Sequence, residues 1–507
     1  MPAKFKPFKI VDLFAGSGGL SEGFSSLKNE AGERCFEIAL SVEKDLAAYQ
    51  TLQLRSFFRQ FKVAPVEYYE YIAGRLEREV LSKKFPSQWN QSLSEARMLE
   101  LGTISAKKEI APILKKLREG SHDTVIIGGP PCQAYSLVGR ARNRGVVGYD
   151  PAEDNRHFLY EEYINIIRAL KPVAFVMENV KGILSSKVKG GGIFQKILYD
   201  LENAAGKNSY ELIPVFPDRN GSPGFIVRAE NHGIPQARHR VIIIGVRKDR
   251  AGAAALGALG GAFLHPQKDG KTVKNVLKDL PRLRSGLSKN DDPNAWQIAV
   301  TEAFKIAEKA SRKARMEDVA NRLEEIRSAI NKTRIAPRAD TRISAVKDKS
   351  LIAWYHDERL ITLTGHNSRS HMLEDLARYA FVSTYAEVRG QSPIASEFPD
   401  ELAPEHANWK SGKFADRFRC QLWSNPSTTI TSHIAKDGHY FIHPDPSQCR
   451  SLTVREAARL QTFPDNYFFE GNRTQQYTQV GNAVPPMLGL QIARTLFTLL
   501  DVPPHGH

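Results

Sequence analysis

Four short motifs lie at the borders of apolar runs and carry groups that could do chemistry. They are Asp12–Gly19 (DLFAGSGG), Gly128–Gln133 (GGPPCQ), Met177–Val180 (MENV) and Gln236–Arg240 (QARHR). In the second motif a Pro-Pro corner would present Cys132 rigidly, and a thiolate at that position is a candidate nucleophile. A lone cysteine is more often a small buried hydrophobe, so Cys132 by itself leaves both interpretations open.

The other motifs offer groups that suit a nucleoside-containing ligand and a polar ring. Glycines in Asp12–Gly19 allow a tight turn at a helix N-terminus, and Glu43 ends the next apolar run, where a carboxylate can bind a ribose diol. Glu178 could protonate or orient a substrate ring. By strand alternation Arg238 and Arg240 share a face, which suits a carbonyl, a carboxylate or a phosphate. The alternatives are a plain βα turn for the glycines and ordinary surface ion pairs for the charged groups.

Apolar runs that alternate with helical patterns predict the elements that position these motifs. The runs are Ile10–Phe14, Glu37–Val42, Val125–Ile127, Val173–Met177 and Val241–Val246. Continuous apolar runs separated by helices are typical of a parallel sheet covered on both faces, so the sequence predicts a doubly wound, mostly parallel α/β fold. The motifs would then lie at the carboxyl ends of the strands, where such sheets bind ligands.

Composition divides the chain into three predicted parts. Residues 1–250 hold the four motifs, residues 251–425 open with the Ala/Gly linker AGAAALGALGGA at 251–262, and residues 426–507 carry further helical patterns. An insertion at Phe57–Lys84 is predicted to be helical, with its aromatic residues packed inside.

The second part contains a charged helical pattern at Glu302–Asn331, with one apolar stripe. The stripe comprises Val319, Leu323, Ile326 and Ile330. Lys and Arg outnumber acids from residue 305 to 342, so contact with a phosphate backbone is an expectation for this region. In the third part, Leu452–Gln461 and Pro485–Leu500 predict amphipathic helices.

Charge and cysteine usage narrow the class of protein. The 507 residues include 71 Lys and Arg against 56 Asp and Glu, a formal charge of +15 that suggests a polyanionic partner or a merely basic soluble protein. The four cysteines are far apart, which favours a reducing compartment, the cytoplasm. No run of 18 apolar residues predicts a spanning helix, so no membrane partner is expected.

Histidine clusters do not predict a metal site. His366, Arg369 and His371 form a compact polar group whose more natural role is structural hydrogen bonding. The set His433, His439, His443 and Cys449 has weak zinc spacing.

Taken in order, the four motifs and Glu43 resemble those of the cytosine-C5 DNA methyltransferase family. The resemblance continues with Leu452–Pro464 (LTVREAARLQTFP) and Gln479–Pro486 (QVGNAVPP), and it covers residues 8–250 and 426–507. It implies an S-adenosylmethionine-dependent methyltransferase fold with a second, smaller target-recognition domain, which the family places where residues 263–425 lie. The C-terminal motifs would return to complete the catalytic domain.

The resemblance also implies a mechanism. A cytosine would be flipped out of double-stranded DNA, and the thiolate of Cys132 would add to C6 so that C5 can accept the methyl group of S-adenosylmethionine. Glu178 would bind the N3 edge of the base, and Arg240, together with Arg238, would bind O2. The segment Ala134–Arg142 resembles the mobile loop that closes on DNA.

By the same resemblance, a set of residues would surround the cofactor. They are Phe14, Gly16, Gly18, Gly19, Leu20, Glu43, Thr103, Ile104, Pro130, Leu159, Asn482 and Val484. The family usually has a Gly-Asp-Ile sequence near the adenine, whereas this chain has Gly102–Ile104 (GTI). The acidic adenine contact is therefore replaced by Thr103 in this alignment.

The resulting hypothesis is a bacterial, sequence-specific modification enzyme that acts on double-stranded DNA as a monomer, with a cognate restriction endonuclease as the expected partner at the same site. One alternative is a cytosine-C5 methyltransferase that acts on tRNA; the large basic region 263–425 favours DNA, because the tRNA branch is compact. The other is a DNA-binding protein without turnover, against which the presence of Cys132, Glu178 and Arg240 argues.

Overall fold

The structure is a computed structural model that describes residues 5–131, 159–185, 187–188, 191–216, 224–250, 263–267, 269–405, 409 and 417–501. Three predicted features lie outside the described residues. They are Cys132, the loop Ala134–Arg142 and the linker 251–262.

An eight-stranded sheet forms the centre of the described chain. Its strands are β1 (Phe8–Leu13), β2 (Phe36–Glu43), β3 (Ala96–Met98), β4 (Thr124–Gly128), β5 (Ala174–Val180), β6 (Tyr210–Ile213), β7 (Ile226–Arg228) and β8 (His239–Arg247). Across the sheet the order is β3-β2-β1-β4-β5-β8-β6, and β7 pairs with the beginning of β8. Further two-residue strands pair as Lys187–Val188 with Gly191–Gly192, Gln236–Ala237 with Ser427–Thr428, and Gly286–Leu287 with Ser370–His371.

Strand direction confirms a mostly parallel sheet and corrects one strand. β1 to β5 are parallel to one another, whereas β8 runs antiparallel to β5, β6 and β7. The expectation that Val241–Val246 belongs to the parallel set was therefore wrong. A strand buried on both faces reads as the same apolar run in either direction, so the run itself carried no information about direction.

Helices cover both faces of this sheet, which confirms the doubly wound α/β class. The helices of the described chain are α1 (Gly19–Ser26), α2 (Leu46–Arg59), α3 (Val66–Ile72), α4 (Arg78–Lys84), α5 (Pro86–Glu95), α6 (Ile104–Glu119), α7 (Leu159–Leu170), α8 (Ile193–Glu202), α9 (Val273–Leu277), α10 (Pro293–Lys313), α11 (Glu317–Ile330), α12 (Lys349–Tyr355), α13 (Leu373–Arg389), α14 (Val454–Leu460), α15 (Arg473–Asn482) and α16 (Pro486–Asp501). One apolar core joins the sheet to α1 and α16, and a second joins it to α6, α7 and α8.

The C-terminal helix α16 packs directly on α1. A Cβ on Gly23 would lie 2.4 Å from the carbonyl oxygen of Pro486 and 2.5 Å from the nitrogen of Leu490, so this glycine lets the two backbones touch. In the described chain, the stretch Arg473–Leu500 is long and apolar enough to cross a membrane, with a mean hydropathy of 1.3. It divides into α15 and α16, and 56% of its apolar window is buried inside the protein, as expected for a core helix.

The insertion after β2 is helical, as predicted, although it forms several short helices. α2 ends at Arg59, and α3, α4 and α5 follow. Its aromatic side chains form a core of their own, in which Phe57, Tyr68 and Tyr69 are buried. The prediction that these rings serve packing is confirmed.

The charged helical pattern Glu302–Asn331 folds as the end of α10 and the whole of α11. The helix is interrupted between them, near Arg315, which has a φ of +61°. The predicted stripe of α11 is buried against α10 and α13, which confirms it. Arg312 forms ion pairs with Glu308, Glu317 and Glu324, so intramolecular carboxylates already occupy this guanidinium.

The predicted boundary at residue 425 does not coincide with a break between apolar cores. The core around α10, α11 and α13 also contains Phe418, Ile442 and Cys449. A neighbouring core joins Val273 and Leu351 to the helices that follow residue 425. The second and third parts of the chain therefore pack as interleaved segments.

Candidate active site

A cavity of about 630 Å³ opens at the carboxyl ends of β1, β2, β4 and β5. This volume is in the range of small-molecule sites. Twelve residues singled out from the sequence line it: Phe14, Gly16, Gly19, Leu20, Glu43, Pro130, Leu159, Glu178, Arg238, Arg240, Asn482 and Val484. Pro131 also lines the cavity, and Cys132 is the next residue in the chain.

The first wall of the cavity is the glycine turn between β1 and α1. Phe14, Gly16 and Gly18 all have positive φ, at 55°, 56° and 81°. The Gly16 amide donates to Glu43 Oε2 at 2.9 Å, so the carboxylate at the end of β2 fixes the turn. Gly18 does not line the cavity; it is the N-cap of α1, and a Cβ there would lie 2.8 Å from Leu52 Cδ2.

Glu43 is itself fixed by the backbone. Its Oε1 accepts hydrogen bonds from the amides of Lys44 and Asp45, at 2.8 and 2.9 Å. A carboxylate has about four acceptor positions, and three backbone amides occupy three of them. The group is thus preorganised at the cavity with capacity for one further hydroxyl donor.

The C-terminal segment returns to this turn. A Cβ on Gly19 would lie 2.0 Å from the carbonyl oxygen of Val484, so only a glycine permits this approach. Asn482, at the end of α15, lines the same side of the cavity. Residues at the two ends of the sequence therefore build one wall.

Thr103 and Ile104 lie outside the cavity lining. Thr103 is the N-cap of α6, where its hydroxyl accepts from the Ala106 amide, and Ile104 is 74% exposed. Leu99, Glu100 and Leu101 line the cavity instead. The expected lining position of Thr103 is therefore not observed, because its hydroxyl caps α6, whereas Glu100, two residues after β3, is the acid of this segment that lines the cavity.

Asp12 is the acidic side chain at the floor of the cavity. Asp12 is buried beneath it and accepts a hydrogen bond from the Ser21 hydroxyl. Burial raises the pKa of Asp12 to about 7, so the floor does not carry a full negative charge at neutral pH.

Glu178 and Arg240 form an ion pair across two strands. Glu178 Oε1 lies 2.9 Å from Arg240 Nε, and each side chain is only 14% exposed. The antiparallel register places Arg240 opposite Val180, two residues from Glu178 on the same face. Gly129 leaves the space that the carboxylate needs, since a Cβ there would lie 2.9 Å from Glu178 Oε2.

Arg238 also lines the cavity, but backbone carbonyls hold its guanidinium. It precedes β8, is 3% exposed, and donates from Nη1 to Ile430 O at 2.8 Å and to Gly481 O at 3.4 Å. Burial, with repulsion from Arg240, holds the pKa of Arg238 well below its usual range. His239, between the two arginines, pairs instead with Glu230 at 2.6 Å.

Asn179 binds the Pro-Pro corner, a contact that sequence analysis missed. Its Nδ2 donates to the Pro130 carbonyl at 3.2 Å, and its Oδ1 accepts from the Val180 amide at 2.8 Å. The only indication in the sequence was that the amide side chain of Asn179 follows Glu178 in the motif Met177–Val180. The contact joins the end of β5 to the Pro-Pro corner.

The histidine clusters do not form a metal site among the residues that the structure describes. His366 Nε2 donates to the Pro281 carbonyl and Nδ1 lies 3.1 Å from the Thr453 hydroxyl, so its role is structural hydrogen bonding, as predicted. Burial lowers the pKa of His366, which favours the neutral ring.

A doubly wound sheet with a cavity of this size at its strand ends defines an α/β protein with a small-molecule site. A model of the C-5 cytosine-specific DNA methylase family matches residues 101–498. The chain is 33% identical to the Type II methyltransferase M.Bpa9945I of Bacillus paralicheniformis, over 97% of this chain and 99% of that protein. It is 28% identical to the Type II methyltransferase M.AgeI of Thalassovita gelatinovora, over 96% and 99%.

A third relative comes from another organism. It is the DNA (cytosine-5-)-methyltransferase M.ApeKI of Aeropyrum pernix, 26% identical over 74% of this chain and 81% of that protein. The chain therefore belongs to the C-5 cytosine-specific DNA methylase family, and it is a DNA (cytosine-5-)-methyltransferase.

Proposed function

We propose that this enzyme transfers a methyl group from S-adenosylmethionine to C5 of a flipped-out cytosine within a specific double-stranded DNA sequence. The observation that carries the proposal is the Glu178–Arg240 ion pair, which lies in the same cavity as the glycine turn. Pro131, the residue before Cys132 in the sequence, also lines that cavity. This supports a cofactor pocket beside a base-binding pair, with the nucleophile supplied by the segment that follows Pro131.

The cavity suits S-adenosylmethionine in its donor set. Glu43 has acceptor capacity for a ribose hydroxyl, and Gly16 leaves open space, since a Cβ there would meet nothing within 4 Å. In place of Thr103, we propose that Glu100 is the acid nearest the adenine. When bound, S-adenosylmethionine supplies an electrophilic methyl group.

The protein residues prepare the cytosine to accept that group. The Cys132 thiolate would form a bond to C6, and the electron pair displaced from the C5–C6 double bond would make C5 nucleophilic. Glu178 would hydrogen-bond to N3 and favour its protonation, and Arg240 would bind O2. After methylation, removal of the C5 proton and breakage of the S–C6 bond would restore the ring and release the thiolate.

Arg238 has a different proposed role from the one that the resemblance implied. Its guanidinium donates to two carbonyls in the cavity wall, so its proposed role is to support that wall. Binding of O2 is therefore assigned to Arg240.

Double-stranded DNA is the proposed substrate form, and the net charge of +15 supports it. The reacting atoms are inaccessible inside a duplex, so flipping, at about a few kcal/mol, is part of the proposal. The residues between 263 and 425 are proposed to read bases, and Ala134–Arg142 to close on the backbone. A monomer in the bacterial cytoplasm, paired with a cognate restriction endonuclease, is the proposed biological setting.

Base-resolution sequencing of DNA from cells that express this chain tests the proposal. We expect 5-methylcytosine in one short motif, and none in cells that express Cys132→Ser at the same level, because serine is a much weaker nucleophile. Purified Cys132→Ser should keep the wild-type melting temperature, which separates lost chemistry from lost folding. Methylation found in tRNA and absent from DNA would contradict the proposal.

Replacing Glu43 by glutamine is expected to weaken S-adenosylmethionine binding about tenfold or more. Glutamine has one acceptor oxygen with two acceptor positions, so two of the four donors, which are the three backbone amides and the ribose hydroxyl, lose their acceptor. A hydrogen bond to a charged group contributes about 1.5–3 kcal/mol. Calorimetric titration of the DNA-free enzyme measures this change in Kd.

The matched control is Glu37→Gln. Glu37 lies on the same strand, β2, but pairs with Lys9 outside the cavity. Its substitution should leave the Kd for S-adenosylmethionine within about twofold. Equal Kd values for Glu43→Gln and wild type would show that Glu43 holds only the turn.

A further inference from the structure

One turn, residues 430–436, forms part of the cavity wall. Thr431 and Ser432 line the cavity, and a 3-10 helix runs from Ser432 to Ala435. The turn packs closely on α15: a Cβ on Gly481 would lie 2.3 Å from the Ser432 nitrogen. A displacement of this turn would therefore displace both Ser432 and the end of α15.

The far end of this turn is bound by Arg369. Its Nη2 donates to Ile434 O at 2.5 Å, and its Nη1 donates to Lys436 O at 2.9 Å and reaches Ala435 O at 3.5 Å. These are the last carbonyls of the 3-10 helix, which have no partner within the helix and attract a cation.

The same guanidinium also contacts α15. It lies 4.1 Å from the centre of the Tyr477 ring, which is within the range of a cation–π contact. Tyr477 is buried one turn before Gly481 on α15. One side chain thus ties the turn to the helix whose end lines the cavity.

Arg369 belongs to the segment between 263 and 425. Its carbonyl accepts from the Gly286 amide at 2.8 Å, and the next residues, Ser370–His371, pair with Gly286–Leu287. At the other end of the turn, Arg238 binds Ile430 O. Two arginines from different parts of the chain therefore hold the two ends of the same cavity wall.

We propose that Arg369 is a positioning residue for methyl transfer, which transmits the placement of the 263–425 segment to the cavity wall at Thr431, Ser432 and Gly481. The inference rests on the proposed function of that cavity. Arg369 contacts carbonyls and a ring and acts only through them. Its loss lowers the rate of reaction at saturating DNA, because the wall no longer fixes the base in line with the methyl group.

The test compares Arg369→Ala and Arg369→Lys with Arg378→Ala. Arg378 is a matched control, since it too donates to a carbonyl, that of Leu402, and stacks on a ring, that of Phe418, but it lies outside the cavity wall. We expect Arg369→Ala to lower kcat at least tenfold, with the Kd for DNA within about threefold of wild type. Arg369→Lys, which can bind one carbonyl, should recover part of kcat. Arg378→Ala should lower the melting temperature by a similar amount and leave kcat near wild type.

Each other outcome refutes the inference. A wild-type kcat in Arg369→Ala, measured well below its melting temperature, would leave Arg369 a stabilising residue only. A weaker Kd for DNA with unchanged kcat would make it part of the DNA interface. An equal loss of kcat in Arg378→Ala would trace the effect to general loosening. Wild-type enzyme that transfers no methyl group to DNA would refute the proposed function and this inference with it.

Discussion

Substitution of Glu178 by glutamine is expected to lower kcat for DNA methylation by about 10²- to 10⁴-fold, the range for loss of a positioned acid–base group. Glutamine keeps the size of the side chain and fits the space left by Gly129, but it can neither carry the charge that pairs with Arg240 nor share a proton with N3. Steady-state transfer of a labelled methyl group to DNA, with the Kd for DNA measured separately, checks this prediction.

Glu230→Gln is the control for this experiment. Glu230 also pairs with a residue at the start of β8, His239, but lies outside the cavity lining. We expect its kcat within about threefold of wild type, because a partly exposed pair contributes about 1 kcal/mol or less and takes no part in the reaction. Turnover by Glu178→Gln at a similar level would show that the Glu178 carboxylate plays no chemical part.

The double variant Glu178→Gln/Arg240→Leu tests whether Glu178 and Arg240 act on the same reaction step. Arg240→Leu should lower kcat by itself, since it removes the donor proposed for O2 and leaves the Glu178 carboxylate without its 2.9 Å partner. If both groups act on one base, the double variant loses less than the product of the two single losses. Strict multiplication of the two effects would mean that they serve separate steps.

Many residues of this cavity could be identified from the sequence because the carboxyl ends of parallel strands lie at the same edge of a sheet. Phe14, Glu43 and Glu178 are far apart in the chain, yet each follows an apolar run, and parallel strands bring their carboxyl ends to one edge. Gly129 could be read only as part of a turn, whereas its function depends on the carboxylate that occupies the space of its missing side chain. Motifs report which residues are near the edge but not which atoms touch.

The sequence did not predict features that depend on the direction of a strand or on the hydrogen-bond partner of a side chain. β8 reads like a parallel strand because burial on both faces looks the same in either direction. Thr103 was placed by its neighbouring glycine, whereas it caps α6. The pattern Leu452–Gln461 predicts an amphipathic helix, and α14 forms there. Every residue of α14 is nevertheless buried, including Arg455, because its charged groups bind partners from distant segments.

The most destabilising single change that we expect follows from this buried helix. Glu456→Gln should lower the free energy of unfolding by about 3 kcal/mol, because it leaves the buried charge of Arg450 without its anionic partner. Glu456 accepts two hydrogen bonds from Arg450, at 2.6 and 2.7 Å, and both side chains are 1% exposed. Acceptors on Gln448 and Ser451 remain, so the loss should lie at the low end of the range for broken buried pairs. Urea unfolding measures it.

The same pair predicts a pH dependence. Burial opposes the charge of Glu456, but the Arg450 guanidinium holds the pKa of this carboxyl well below its usual range. A depressed folded-state pKa stabilises the protein above the unfolded value, near 4.5, and this contribution is lost as the pH falls below it. Wild type should therefore lose stability more steeply than Glu456→Gln as the pH falls from 5 to 3, and parallel curves would contradict this assignment.

Two further variants separate a buried charge from ion pairing in general. Glu325→Gln breaks the exposed pair with Arg322, at 2.9 Å, and should cost about 0.5 kcal/mol or less, since solvent screens both groups. In Arg450→Met/Glu456→Gln the charge itself is gone, while the side-chain oxygen of the glutamine can still accept from the Thr453 amide. The double variant should therefore be more stable than Glu456→Gln alone. The loss of unfolding free energy in the double variant is compared with the sum of the losses in Arg450→Met and Glu456→Gln. A loss equal to that sum or larger would mean that packing provides the stabilisation, because removing an uncompensated charge can only reduce the loss.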